Sequence, residues 1–205
     1  MLRLGLIAIV VGGAGALAAA AFASPPPGKV VRVERRRASA ATVPGICEVQ
    51  PSLQGICVGS PPKVGDVVTV VDETQTVAEV RVKTARATTP KCESVWTIEA
   101  ELVRGDISQT SRRKSIGIID PALDRRVARK IDESKIEVPN SEPDHRVAIG
   151  VDRDDDGAAD IVLTQSRCGS DGECLDIWTP RSGALPAGAP RAWNRVWTAN
   201  IQPCF

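Results

Sequence analysis

The stretch VGDVVTVVDETQTVAEVRV, residues 64–82, decides the fold. Its two halves, Val64–Val71 and Val77–Val82, are rich in β-branched side chains, which favour extended strands over helices. The polar residues 72–75 between the two halves are typical of a turn. The stretch therefore predicts a β-hairpin inside a mainly β protein.

Apolar residues continue to recur at every second position after this hairpin. Residues 96–102 alternate cleanly, which predicts a strand with four side chains facing the core: Trp96, Ile98, Ala100 and Leu102. Shorter patterns of the same kind predict strands at 115–119, 146–151, 160–164, 175–178 and 193–201. The fold class is therefore mainly β, either a small barrel or a sandwich, possibly built from two β subunits.

One segment, residues 121–134, has a helical pattern instead. Asp120 suits the N-cap and Pro121 the first helical position, and apolar residues then recur at intervals of four: Leu123, Val127 and Ile131. We expect one short amphipathic helix here. It would divide the mainly β region, residues 44–205, into two possible parts, 44–119 and 140–205.

The first 43 residues differ in composition from the rest. Residues 1–23 combine Arg3, a long apolar run and the small-x-small site Ala21-Phe22-Ala23, which predicts a secretory signal peptide. An uncleaved anchor is the alternative. Residues 24–43 are rich in proline, alanine and charge, so we expect a flexible basic arm. Its cluster Arg35, Arg36 and Arg37 would make weak contact with an anionic surface, or serve as part of a solvated linker.

Overall charge and hydropathy exclude two classes of protein. The formal net charge is +1, which argues against a nucleic-acid-binding protein with a dominant basic face. After the signal peptide, no apolar run reaches the roughly 18 residues of a spanning helix, so we expect no transmembrane segment. The signal then predicts a secreted or periplasmic location.

Six cysteines follow the predicted cleavage site. An even number in an exported chain predicts disulfides, because the compartment is oxidising. Spacing favours two local pairs, Cys47 with Cys57 across a Pro/Gly-rich loop and Cys168 with Cys174 across a turn, which leaves Cys92 for Cys204. A zinc cluster is disfavoured because the chain has no Cys-x2-Cys pair and a single histidine.

The strongest local motif is DRDDDGAAD, residues 152–160, within a stretch where acids outnumber bases. Carboxylates occupy positions 1, 3, 5 and 9, glycine occupies position 6, and position 7 offers a backbone carbonyl. Calcium takes six to eight oxygen ligands, and glycine permits the sharp turn that brings alternate oxygens inward. An acidic turn without a cation is the alternative.

This motif resembles the Asp-x-Asp-x-Asp-Gly-x-x-Asp calcium loops of FG-GAP/VCBS repeats and EF-hand-like proteins. The flanking patterns fit the strand-loop-strand setting of FG-GAP loops better than helix-loop-helix. The resemblance implies one structural Ca²⁺ ion, with a backbone carbonyl from Ala158 and four carboxylate ligands: Asp152, Asp154, Asp156 and Asp160. The loop departs from the pattern at position 12, where Leu163 replaces the EF-hand glutamate, and at position 4, where Asp155 replaces a common glycine.

Catalytic signatures are absent from the sequence. His145, the single histidine, lies in a predicted loop, no serine lies in a Gly-x-Ser-x-Gly elbow, and no Gly-rich phosphate loop follows a predicted strand. Trp193, Arg195 and Trp197 would share one face of a strand, which makes them candidates for ligand contact, although packing in the core is the favoured explanation for the tryptophans.

The sequence favours an exported, non-enzymatic calcium-binding β module that binds a surface partner or a glycan. A small secreted hydrolase using carboxylates is the first alternative. An inhibitor-like secreted module is the second, and it would require the Cys47–Cys57 loop to project rigidly into solvent.

Overall fold

Valine, isoleucine and tryptophan form the centres of most strands in the part of the chain that the structure describes. The computed structural model describes residues 42–73, 75–89, 92–108, 115–137, 146–168, 172–181 and 191–201. All of them belong to the compact unit Ala38–Phe205. The predicted signal peptide, nearly all of the predicted arm, His145 and Cys204 lie outside the described residues. No helix within the described ranges is long and apolar enough to cross a membrane.

The first six strands close into an antiparallel barrel. They are β1 (Gly45–Val49), β2 (Gln54–Gly59), β3 (Val67–Val71), β4 (Thr76–Ala87), β5 (Val95–Gly105) and β6 (Ile116–Ile119). Their order around the barrel is β1-β2-β5-β4-β3-β6. Strands β3, β4 and β5 form a meander, and β6 returns beside β3, which is a Greek-key arrangement.

The central hairpin is confirmed, because β3 and β4 pair antiparallel from Val67 opposite Arg81 to Val71 opposite Thr76. The predicted inward row on β5 is right at Ile98, which is 2% exposed, and wrong at Leu102, which is 46% exposed. Burial decreases along β5 because its C-terminal half runs past the cluster of side chains that fills the barrel.

Strands β1 and β2 replace the loop expected between Cys47 and Cys57. The two cysteines lie directly opposite each other in the β1–β2 pair and are joined by a disulfide, with their Cα atoms 4.0 Å apart. Both are buried in the barrel interior. Glycines lower the strand propensity of these segments, but cross-strand pairing and the disulfide outweigh that local preference.

The other predicted local disulfide, Cys168–Cys174, is also confirmed. Cys92 is disulfide-bonded as well, while Cys204, its predicted partner, lies outside the described residues. No described cysteine is free. Such disulfide use is typical of proteins that mature in an oxidising compartment.

A second antiparallel sheet follows the barrel. Its strands are β7 (Arg129–Ile131), β8 (Arg146–Asp152), β9 (Ile161–Cys168), β10 (Gly172–Pro180) and β11 (Trp193–Asn200), in the order β11-β10-β9-β8-β7. One hydrophobic cluster joins this sheet to the barrel and contains Val71, Ile118, Ile161 and Ile177. A further cluster, with Val162 and Trp178, lies on the opposite face of the sheet.

The predicted helix over 121–134 is wrong. Asp120 instead accepts a hydrogen bond from the amide of Ala122 through its own carboxylate, which makes a turn. Arg129–Ile131 then pairs with β8, and a 3-10 helix at Glu133–Lys135 is the helical structure among residues 115–137. Leu123 and Ile131, expected on one helical face, pack into different clusters on opposite sides of the second sheet.

Candidate metal centre

The acidic loop, residues 152–160, connects β8 to β9. The strands flanking it pair antiparallel up to Val151 opposite Ile161, and the amide of Asp160 donates to the carbonyl of Val151 at 2.7 Å. The expected strand-loop-strand setting is therefore present. Two rigid strands hold the loop ends, so its carboxylates project from one end of the second sheet.

Glycine and aspartate give the loop its tight curvature. Asp155 has φ +64° and Gly157 has φ +90°, both in the left-handed region. Aspartate tolerates this region better than most residues, and glycine enters it without steric cost. A glycine at position 4, in place of Asp155, would adopt this conformation without steric cost.

Asp152 anchors the loop from within. Its side chain is fully buried, and its two carboxylate oxygens accept hydrogen bonds from the amides of Asp154, Asp155 and Gly157. Burial disfavours the charged form, but these amides, together with the guanidinium of Arg129, outweigh burial and hold the pKa of Asp152 below its usual value. Asp152 is therefore an ionised carboxylate around which the loop backbone folds.

Three carboxylates of the loop converge. Asp152, Asp154 and Asp156 each offer one oxygen, and these oxygens lie within 4.8 Å of one another. A Ca²⁺ ion binds oxygens at about 2.3–2.6 Å, so two ligands of the same ion lie at most about 5 Å apart. The cluster could therefore hold a metal ion.

The chain matches no protein-family model, no curated protein and no solved structure.

Asp160, predicted as a fourth carboxylate ligand, lies outside this cluster. Its Oδ1 atom is 3.0 Å from Nη2 of Arg191, and its Oδ2 atom accepts the amide of Arg153 at 3.0 Å. Burial raises the pKa of Asp160, and these two partners oppose that rise. Leu163, at position 12, is buried in the core between sheet and barrel, so it takes no part in the site.

Three arginines form ion pairs in or beside the acidic loop, and the sequence did not signal the partner of any of them. Arg129 Nε lies 3.3 Å from Asp152 and 3.0 Å from Asp155. Arg153 pairs with Asp120, and Arg191 pairs with Asp160 and also donates to the carbonyl of Ala159 at 2.7 Å. Arg129 and Arg191 come from segments more than twenty residues away, so no local spacing signals their contacts.

Asp154 and Asp156 take no part in these ion pairs. Within the described part of the chain, neither carboxylate forms an ion pair with an arginine or lysine. Both residues are exposed, and each accepts a backbone amide two residues ahead, from Asp156 and Ala158 respectively. The arrangement leaves two adjacent negative charges facing solvent beside the buried Asp152.

The two tryptophans expected on one face of the last strand lie on opposite faces of the sheet. Trp193 packs in the outer cluster with Trp178, whereas Trp197 packs in the cluster shared with the barrel. A bulge causes this, because Ile177 pairs with Trp197 while Trp178 pairs with Arg195, which leaves one extra residue on β11. Arg195 lies over Trp178, with 5.8 Å from its guanidinium carbon to the ring centroid. The three candidates therefore do not form one stacking surface.

Proposed function

We propose that this protein is an exported calcium-binding β module that binds a partner at a cell surface or a glycan and catalyses no reaction. The observation that carries the calcium assignment is the convergence of Asp152, Asp154 and Asp156 within 4.8 Å. Hard carboxylate oxygens on a tight loop suit Ca²⁺ better than softer metals, which favour histidine and cysteine. The carbonyl of Ala158 is a further candidate ligand.

The role proposed for the ion is structural. Like charges on Asp154 and Asp156 repel each other, and a bound cation would remove that repulsion. Extracellular calcium modules typically bind with dissociation constants of about 0.1–1 mM. At about 10 mM calcium, mass action would then stabilise the folded state by about 1.4–2.7 kcal/mol. In a chain of this size, that corresponds to a rise in Tm of about 3–10 °C.

Thermal unfolding of the oxidised protein in calcium, in magnesium and in chelator tests the proposal. The informative variant is Asp154→Asn/Asp156→Asn, because asparagine keeps the side-chain oxygen that accepts each backbone amide and removes both charges. Asp152 is a poorer target, since its loss would unsettle the whole loop. We expect calcium to raise Tm in the wild type and to have no effect on the double variant.

A matched control is Glu173→Gln, which removes an exposed charge from β10, outside the acidic loop. This variant should respond to calcium as the wild type does. An absence of any calcium-specific shift at about 10 mM would refute the calcium assignment. An equal response from the double variant would place the ion elsewhere.

The hydrolase alternative has less support than the binding module. A cleft that holds two inward carboxyl groups with raised pKa values would favour it. Burial raises the pKa of Asp160, but both oxygens of this carboxyl group are engaged. The inhibitor alternative is weakened too, because most residues between Cys47 and Cys57 form the barrel wall.

A further inference from the structure

The outer surface of the barrel carries a transverse row of four side chains, one from each of four neighbouring strands. Glu48 on β1 lies opposite Ile56 on β2, Ile56 lies opposite Thr97 on β5, and Thr97 lies opposite Arg86 on β4. All four residues are exposed. Because opposed residues of neighbouring strands project from the same face, these side chains form one line across the strands.

A second row runs beside the first. Gln54 on β2 lies opposite Glu99 on β5, and Glu99 lies opposite Thr84 on β4. Gln50 extends this row beyond β1, where its amide donates to the carbonyl of Gln54 at 2.8 Å. The two rows line an open groove of about 410 Å³. That volume falls within the usual range of ligand sites, about 300–1,000 Å³.

Charge is distributed unevenly along the groove. Glu48 stands at the β1 end of the first row, and Arg86 stands at its β4 end. Among the described residues, no ion pair occupies either side chain or that of Glu99. Neighbouring strands are about 4.8 Å apart, so the row from β1 to β4 spans roughly 14 Å. A ligand lying along the row would meet a negative charge at one end and a positive charge at the other.

Between these charges the lining combines polar and apolar groups: Ile56, which is 45% exposed, and Ile98 are apolar, and Glu99 is the one further charged residue of the lining. Two glutamines and two threonines offer both donors and acceptors of hydrogen bonds. No aromatic side chain is among the residues that line the groove, so it lacks a platform on which sugar rings or bases would stack. Two carboxylates would also repel a phosphate backbone.

We propose that this groove binds an extended peptide segment carrying a basic residue at one end and an acidic residue about four positions away. An extended chain rises about 3.4 Å per residue, so four positions match the roughly 14 Å between Glu48 and Arg86. The peptide amides would pair with the glutamine and threonine side chains. The inference specifies the partner class in the proposed binding role, and it does not depend on the calcium loop.

The test is a titration of the isotope-labelled oxidised protein, in chelator, with the peptide acetyl-Lys-Ala-Ser-Ala-Asp-amide up to about 10 mM, followed by NMR. We expect saturable shift changes at the backbone amides of Ile56 and Thr97. Glu48→Lys should weaken binding of this peptide about fivefold or more and should strengthen binding of the matching peptide with aspartate at both ends. Arg86→Glu should show the reciprocal preference, for lysine at both ends.

Glu173→Lys and Arg167→Glu, exposed charge reversals on the second sheet, are the controls and should leave peptide affinity unchanged. The inference is overturned if no shifts appear, if they lie away from the groove, or if neither groove variant changes the charge preference. It is also overturned if an N-acetylglucosamine trimer shifts the same amides and the peptide does not. Because chelator is present throughout, failure here leaves the calcium response to be judged separately by thermal unfolding.

Discussion

Replacing Arg153 should uncouple the acidic loop from the segment that follows the barrel. Arg153 occupies the second position of the loop, and its Nη2 atom lies 2.6 Å from Oδ2 of Asp120. The side chain of Asp120 is 2% exposed and that of Arg153 is 24% exposed. The pair therefore lies largely out of water, so removing one partner leaves the charge of the other buried and uncompensated.

The expected cost follows from that burial. In Arg153→Gln, the carboxylate of Asp120 stays buried without its ion-pair partner and keeps the hydrogen bond that Oδ1 accepts from the amide of Ala122. Breaking a buried ion pair costs about 3–5 kcal/mol, and the partial exposure of Arg153 lowers the expected loss here to about 2–3 kcal/mol. Asp120→Asn/Arg153→Gln should cost less than the sum of the two single changes, with a coupling energy of about 1–3 kcal/mol.

Urea unfolding of the wild type, both single variants and the double variant, all in chelator, measures this coupling. The matched control is Arg126→Gln, which breaks an ion pair with Asp124 in which the arginine side chain is 81% exposed. It should cost far less than Arg153→Gln does, because water screens an exposed pair. If Arg153→Gln costs no more than this control, or if the two single changes simply add, the loop is not held through Asp120.

Three further substitutions test the packing. Gly117→Ala would place a Cβ atom 2.5 Å from Cγ1 of Val68 in the barrel interior. Urea unfolding should then show a free energy of unfolding lower by about 1–3 kcal/mol, and a change within error would contradict that packing. Trp178→Phe removes the buried hydrogen bond, 2.9 Å long, that Nε1 donates to the hydroxyl of Thr164. It should lower the free energy of unfolding by about 1–3 kcal/mol in the same measurement, and adding Thr164→Val to this variant should recover part of that loss. Leu102→Thr should change stability by less than about 0.5 kcal/mol, since Leu102 is 46% exposed, and a loss above 2 kcal/mol would mean that it packs in the core.

Local patterns predicted the strands in which apolar residues recur regularly along the chain. They failed where pairing with a strand distant in sequence decides the local structure. The hairpin of β3 and β4 was predictable because valines recur along both of its strands. The segment 121–134 had helical periodicity, yet the carboxylates of Asp120 and Asp124 accept hydrogen bonds from nearby amides and so stabilise turns. Pairing with β8 then extends residues 129–131. Apolar residues four positions apart predict a helix but do not reveal these turns or this strand pairing.

The same limit applies to β11. Alternation predicts one face for Trp193, Arg195 and Trp197, and a single unpaired residue is enough to send the two tryptophans to opposite faces. The bulge leaves no signature in the sequence, because it depends on the register with β10. In contrast, the pairing of Cys168 with Cys174 was predictable, since a separation of six residues keeps the two cysteines close in any compact fold.

The candidate site shows what a local motif can and cannot specify. Its carboxylates lie at fixed short spacings, so the sequence alone predicted the convergence of Asp152, Asp154 and Asp156. Its charge balance depends on Arg129 and Arg191, which arrive from β7 and from the segment before β11. These arginines already neutralise much of the loop, so the negative charge left for a cation is concentrated on the exposed carboxylates. A bound ion should therefore adjust the stability of a loop that is already folded, rather than create its fold, and the calcium-dependent rise in Tm should be modest.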